Sequence, residues 1–458
     1  MWRTTPGRLV QAMGALVLLA VLAGGLALWA AGSISEAVRT IGKDAEPSVA
    51  LALGMEATLG DMDAAALGDS LTDGGAATGT SRRFGDGVVA LSGDVVEAAR
   101  NVTYGEAEAG PLRELLRGLA MYERAVDEVR AVGDDPWLLS HRVQWASRVE
   151  REFAAPAALA LAQANASVLE DRYSAYRATS LVLGGAAVVA MGVLIAALLG
   201  VQVWLVRRTR RVVNPGLAAA TVVVAGVAVW FGVAVLTERA DLRAAKVDAY
   251  DSLSVLFQAK TVANALRADM SLWLLDPAER PAAVLRMNGA ARTLVAVDLG
   301  APQAVRGLLD GLQRALTLEQ QGQAGEAAAA TPRAEGLLGK ELANITFGVP
   351  ERQAATDAMR RLVDALGVVG AVQALEQRRL HSEAVWKWLD GRAGGAAAFL
   401  AIEEALDRTI AVNQREFDRR VTSASGTAST MPWVTSLGMV LVALLSVGGL
   451  WLRLHEYR

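Results

Sequence analysis

No cysteine occurs in the 458 residues of this chain, so disulfide staples and thiolate metal sites are both excluded. Whatever folds must hold by packing alone. Histidine is nearly as scarce: His141, His381 and His455 are too few and too scattered to expect a zinc or haem site, and no cofactor is expected. Peptidase, nucleotide-binding and kinase signatures are missing as well. The carboxylates Asp61, Asp63 and Asp69 and the pair Glu403 and Glu404 come without a nucleophile, a metal cluster or a phosphate-binding glycine loop. They read as solvated faces, and an enzyme is not expected.

A further absence is the most informative. Residues 9–31, 181–206, 212–236 and 432–452 contain no Asp, Glu, Lys, Arg or His. Each stretch is about 20 residues or longer, and at 1.5 Å rise per residue that spans a hydrocarbon core of about 30 Å. Four transmembrane helices follow. The first has an apolar core longer than the 7–15 residues usual in a signal peptide, so a retained anchor is expected rather than a cleaved leader. Transporters place ionisable groups or broken helices at mid-membrane, and neither is present here. Small residues do recur at four-residue spacing, in Gly192, Ala196 and Gly200 and in Ala20 and Gly24. Such rows allow close helix contact, and a homo-oligomer is left open.

Orientation follows from the arginines, because short basic loops stay cytoplasmic during insertion. Arg207, Arg208, Arg210 and Arg211 crowd the link between the second and third spans, while Arg3, Arg8, Arg453 and Arg458 mark the two ends. Both termini and the 207–211 turn are therefore expected inside, and this turn is the candidate docking point for a cytosolic partner. The chain then divides into an N-terminus with the first span (1–31), an outer block (32–180), the second span (181–206), the Arg-rich turn (207–211), the third span (212–236), a second outer block (237–431), the fourth span (432–452) and a short tail (453–458). The cytoplasmic pieces carry a formal +7, which against −3 for the whole chain leaves −10 elsewhere. So acidic an outer surface disfavours nucleic acid, and counts against an unassisted site for a dicarboxylate.

Both outer blocks read as helical bundles, rich in Ala, Leu, Arg and Glu with no strand-like alternation. Leu115, Leu119, Tyr122, Val126 and Val129 form a bundle seam, as do Met359, Leu362, Leu366 and Val369, and Leu256, Ala263, Leu266, Met270 and Trp273. Breaks are expected at 73–75, 105–111 and 133–136, and an added helical hairpin in the second block between 281 and 335. Asn101-Val102-Thr103-Tyr104-Gly105 matches Asn344-Ile345-Thr346-Phe347-Gly348, and Asn165 with 169–172 weakly matches Asn413 with 416–419. Span, bundle, span, repeated once, is the reading. The Asn-x-Thr strings fit a glycosylation sequon, but a helix ending at Asn with Gly in a left-handed turn explains them as well. His141 and His381 are expected to pack near Trp145 and Trp386.

The expected fold class is thus all-α: a polytopic membrane protein with four transmembrane helices and two extracytoplasmic antiparallel helical bundles related by internal duplication. Bundles held between spans resemble the sensory parts of four-helix-bundle chemoreceptors and sensor kinases, without their cytoplasmic output domain. Over the whole chain, Gly339-Lys340-Glu341-Leu342-Ala343-Asn344-Ile345-Thr346-Phe347 and Asn413-Gln414-Arg415-Glu416-Phe417-Asp418-Arg419 resemble the GlnX-type membrane proteins of actinobacteria. That resemblance implies a relay between a solute-binding lipoprotein of the GlnH type, which senses amino acids, and a soluble Ser/Thr kinase of the PknG type. It carries no site residues over. The expectation is a non-enzymatic sensor or relay; a membrane subunit of a transport machine and an envelope scaffold are the alternatives.

Overall fold

Proline and short polar caps mark where helices begin. Asp135 accepts hydrogen bonds from the amides of Trp137 and Leu138 ahead of Pro136, and Asn214 does the same for Gly216 and Leu217 ahead of Pro215. Both satisfy amides that a first helical turn leaves without partners, and proline is pre-set for that position. The computed structural model describes residues 5–72, 79–132, 135–209, 214–296 and 302–455, and every regular element in them is helical. The breaks expected at 73–75 and 133–134 lie outside the described residues.

In chain order, α1 (Thr5–Arg39) passes through a π-helical segment (Thr40–Ala45) into α2 (Glu46–Asp69). Then come α3 (Gly79–Arg100), α4 (Glu106–Arg130), α5 (Pro136–Val149), a second π segment (Glu150–Ala154) and α6 (Ala155–Thr209). The chain goes on with α7 (Pro215–Arg243), a third π segment (Ala244–Tyr250) and α8 (Asp251–Leu275). The short helices α9 (Arg280–Val295), α10 (Pro302–Gln320) and α11 (Ala324–Ala330) occupy the region read as an added hairpin, and α12 (Gly336–Ala343) follows it. The series closes with α13 (Val349–Gln377), α14 (His381–Leu389) and α15 (Gly395–His455). Two helices are exceptionally long: α6 has 55 residues and α15 has 61.

The chain forms two compact units. The first, here the span unit, comprises residues 1–43, 168–245 and 418–458. It holds four helices long and apolar enough to cross a membrane. Large apolar side chains such as Val21, Val182, Val222 and Leu437 are more than half exposed on it, a surface that suits hydrocarbon and not water. Trp29, Trp433 and Trp451, also exposed, sit near the ends of the apolar stretches, where indole prefers the interface. Helices meet at glycines: a Cβ added to Gly216 would come 2.7 Å from Cα of Gly449, and one on Gly438 would come 2.5 Å from Val227. Close contact of this kind is how helices associate without a hydrophobic drive. The row expected to do this does not. Gly192, Ala196 and Gly200 lie on an exposed face, and a Cβ at either glycine would meet nothing within 4 Å. Of the other row, Gly24 does approach a neighbour, Met439.

The second unit, the bundle unit, takes in 44–167 and 246–417, so both outer blocks contribute to it. One core gathers Leu256, Leu266, Met287, Leu362, Trp388 and Phe399 with their neighbours. All three seams read from the sequence are inside, with only Val129 partly buried. A smaller apolar cluster of Ala64, Leu67, Val143, Ala268 and Leu272 joins the two blocks, where α2 packs along α8. The approach is close at Gly60, whose added Cβ would lie 3.3 Å from Cβ of Asn264, and Asn264 donates to the carbonyl of Ala57 at 3.2 Å.

Candidate functional site

Three constructions in the bundle unit use polar groups where apolar ones would pack more simply. The first is a turn, built twice. Glu108 accepts from the amides of Thr103 and Tyr104, both at 2.7 Å, and Glu351 accepts from those of Thr346 and Phe347, both at 2.8 Å. Each carboxylate closes its turn from the first helical turn that follows. Between them stands a glycine, Gly105 (φ 68, ψ −131) or Gly348 (φ 77, ψ −151), in a region of backbone space open only to glycine. The helices do end at the asparagines, as expected. The glycines, however, are the N-caps of α4 and α13 rather than left-handed helix terminators. The asparagines face back to the first helix of their block: Asn101 donates to Oγ of Ser48 at 2.7 Å, and Asn344 to Oγ of Ser252 at 2.9 Å. Asn344 also reaches the carbonyls of Val247 and Asp248, at 3.2 and 2.8 Å, inside the third π segment. In a π segment the i→i−4 ladder is interrupted, which frees carbonyls for such a side chain and marks functional sites more often than plain helix.

The second construction is an ionic layer joining the two blocks. Nε of Arg83 donates to both carboxylate oxygens of Asp61 on α2, each at 2.8 Å, and Asp61 is also bonded by Arg267 on α8, which donates to its backbone carbonyl as well, at 3.0 Å. Arg83 goes on to Glu403 on α15, and Lys260 links Glu403 at 3.3 Å to Asp407 at 2.8 Å. Nearby, Arg151 and Arg286 share Asp269, each at 2.8 Å, while Asp63 accepts from Ser147 at 2.8 Å. Asp61, Asp63 and Glu403 are therefore buried, not solvated faces as the sequence reading had them; only Glu404 is exposed, with Asp69 half-buried. The physical reason is counter-charge supplied from distant helices, by the other block for Asp61 and Glu403 and by Arg151 of its own block for Asp63, which no local pattern reveals. Burial pushes the Asp61 carboxyl up, but the charges of Arg267 and Arg83 outweigh it and hold it below the usual range. Burial wins at Glu150, raised well above the usual range with the Asp63 charge beside it.

The third construction is an acid pair. Glu341 and Glu351 are both buried with Asn413 and Ser252, and burial pushes each carboxyl up to about 7. Asn413 lies 3.5 Å from Glu341. Among the described residues, Oε2 of Glu341, Oε1 of Glu351 and Oδ1 of Asn413 have no hydrogen-bond partner. A protonated carboxyl would satisfy such a group of acceptors.

The span unit has its own polar cluster, formed by residues that flank the apolar stretches. Tyr176 bonds to Glu238, Arg239 to Ser180, and Asp241 accepts from Arg420 at 3.0 Å and from Ser423 at 2.7 Å. It ties α6, α7 and α15 together.

Of the arginines proposed for docking, Arg207 and Arg208 are exposed at the end of α6, and Arg210 and Arg211 lie outside the described residues. The histidines find other partners than expected: His141 stacks on Trp137 at 4.0 Å between ring centroids, and His381 bonds to Glu376. Sequence reasoning missed Glu108 and Glu351, although a signal existed. Extending the repeated string by three residues brings a glutamate into register in both copies. It also missed Arg83, Arg267 and Asp269, for which no comparable signal exists.

Against known proteins, residues 37–174 match the family model of the actinobacterial sensor domain. No curated protein and no solved structure matches the chain. The matched stretch runs from the end of α1 into α6 and includes Asp61, Arg83, the first turn and Arg151. The chain thus carries an actinobacterial sensor domain within a helical protein that has four long apolar helices.

Proposed function

We propose that this protein is a non-enzymatic transmembrane relay that carries an extracytoplasmic nutrient signal to a cytosolic partner. The observation that carries the reading is the sensor-domain match placed directly between two apolar spans, with α6 running unbroken from bundle-unit residues into a span and α15 continuing into its own past Pro432. An unbroken helix transmits a shift of about 1–2 Å or a small rotation without a hinge to absorb it. The two other crossings, at 43–44 and 245–246, pass through π segments, where a helix can change register. The repeated turn, with its glutamate, glycine and asparagine in the same roles, supports an internal duplication in which each half controls one pair of spans.

The basic link at 207–211 supports an orientation with both termini and that link in the cytoplasm and the bundle unit outside. In this reading an amino-acid-loaded solute-binding lipoprotein docks on the bundle unit. Arg207, Arg208, Arg210 and Arg211 present a basic patch to an acidic face of a soluble Ser/Thr kinase. In-cell cross-linking from position 207 tests the output side, with capture of a kinase expected. A Gly-Pro-Gly insertion after Thr179 tests the route: outer binding is expected to survive and signalling to be lost. Signalling that survives the insertion rules out coupling through α6.

A further inference from the structure

The three helices α10, α13 and α15 of the bundle unit enclose a cleft of about 590 Å³ that none of the constructions above uses. Its walls are of two kinds. Leu316, Pro350, Ala354 and Val412 give an apolar floor, and Arg360, Arg408 and Arg415 bring three guanidinium groups to it. Among the described residues of the lining, the one carboxylate is Asp357. It is engaged by Arg360 at 3.2 Å and by Arg408, so the lining keeps an excess of two positive charges. Arg415 donates Nε to the carbonyl of Ala411 at 2.9 Å, a bond that fixes its stem and leaves the outer face of the fork available. Pro350 belongs to the first turn of α13 and Gln353 and Ala354 to the second, in a helix of 29 residues whose start adds partial positive charge on the same side. The first-turn acid that would cancel this, Glu351, is turned away into the core and fully buried.

We infer that this cleft binds a small organic dicarboxylate. The volume falls within the range of small-molecule sites, and a floor of aliphatic side chains beneath convergent forks suits a short carbon chain with a carboxylate at each end. An acidic chain disfavours an unassisted site for such an anion, and here three arginines supply the assistance. The inference rests on the relay reading only in giving the ligand a purpose; binding itself is independent of signalling.

The test uses the full chain in detergent at about 0.1 M salt, where contacts between exposed charges are largely screened beyond about 10 Å. Acetate, succinate, glutamate and the neutral succinamide are titrated by calorimetry. Saturable one-to-one binding is expected for succinate or glutamate, with acetate at least tenfold weaker and succinamide silent. R415Q, which breaks no ion pair among the described residues, is expected to weaken binding at least tenfold, and R408Q/R415Q to abolish it while helicity by circular dichroism stays unchanged. No binding by either dicarboxylate, or binding that is unaltered in R415Q, overturns the inference. Either result leaves the cross-linking and insertion tests of the relay intact.

Discussion

Two buried acidic sites in the same unit end in opposite protonation states. Asp61 lies between Arg83 and Arg267, one from each outer block, and is held ionised. Glu341 and Glu351, as deeply buried, face each other, Asn413 and Ser252, and are pushed towards neutrality near pH 7. Burial acts on both in the same direction. What differs is whether the neighbouring block delivers a cation. The lesson is that the ionic layer depends on the two blocks being together, whereas the acid pair is a property of the second block alone.

Breaking the ionic side should have the largest effect. Asp61→Ala leaves Arg267 buried without its counter-charge, and a loss of about 3–5 kcal/mol is expected by denaturant unfolding in detergent. Asp407→Ala, at the exposed end of the same network, should cost under about 1 kcal/mol. Equal losses would mean that the layer is not electrostatically continuous with the core.

Changing pH sharpens the comparison, because the two sites have opposite signs. A carboxyl whose folded pKa lies near 7, above its unfolded value, stabilises the fold fully below about 4.5 and loses that contribution as pH rises through 7. For Glu341 and Glu351 the contribution is on the order of 3 kcal/mol each. Asp61, held low, behaves the other way, and its contribution disappears only as pH falls below the normal carboxylate range. Thermal midpoints should therefore drop between pH 5 and 8, and Glu341→Gln or Glu351→Gln should flatten that drop. An unchanged slope in both variants would refute the neutral pair.

The two turns, alike in geometry, give a control. Gly105→Ala and Gly348→Ala each force a side chain into glycine-only backbone space and should cost about 1–3 kcal/mol, equally in both halves. The smallest effect separates the halves again. Asn101→Ala loses a single side-chain bond, about 1 kcal/mol, while Asn344→Ala also frees two carbonyls of the π segment. Amide exchange should therefore speed up at 244–250 in Asn344→Ala, with little change at 40–45 in Asn101→Ala.

Much of the architecture is legible in the sequence. Charge-free stretches of span length, helical seams such as Leu115, Leu119 and Tyr122, and caps at Asp135 and Asn214 are local signals, because helix formation and membrane crossing depend on residues near in sequence. The repeated Asn-x-Thr string marked both turns for the same reason, as their bonds close within eight residues. Only the tertiary structure decided that Asp61, Asp63 and Glu403 lie inside, that Gly216 and Gly438 rather than Gly192 and Gly200 make close contacts, and that Arg360, Arg408 and Arg415 line one cleft. A charge can be buried only where a partner waits, and a glycine is useful only where another helix approaches. Those partners stand up to 320 residues away along the chain, as Glu403 does from Arg83, beyond the reach of any local pattern.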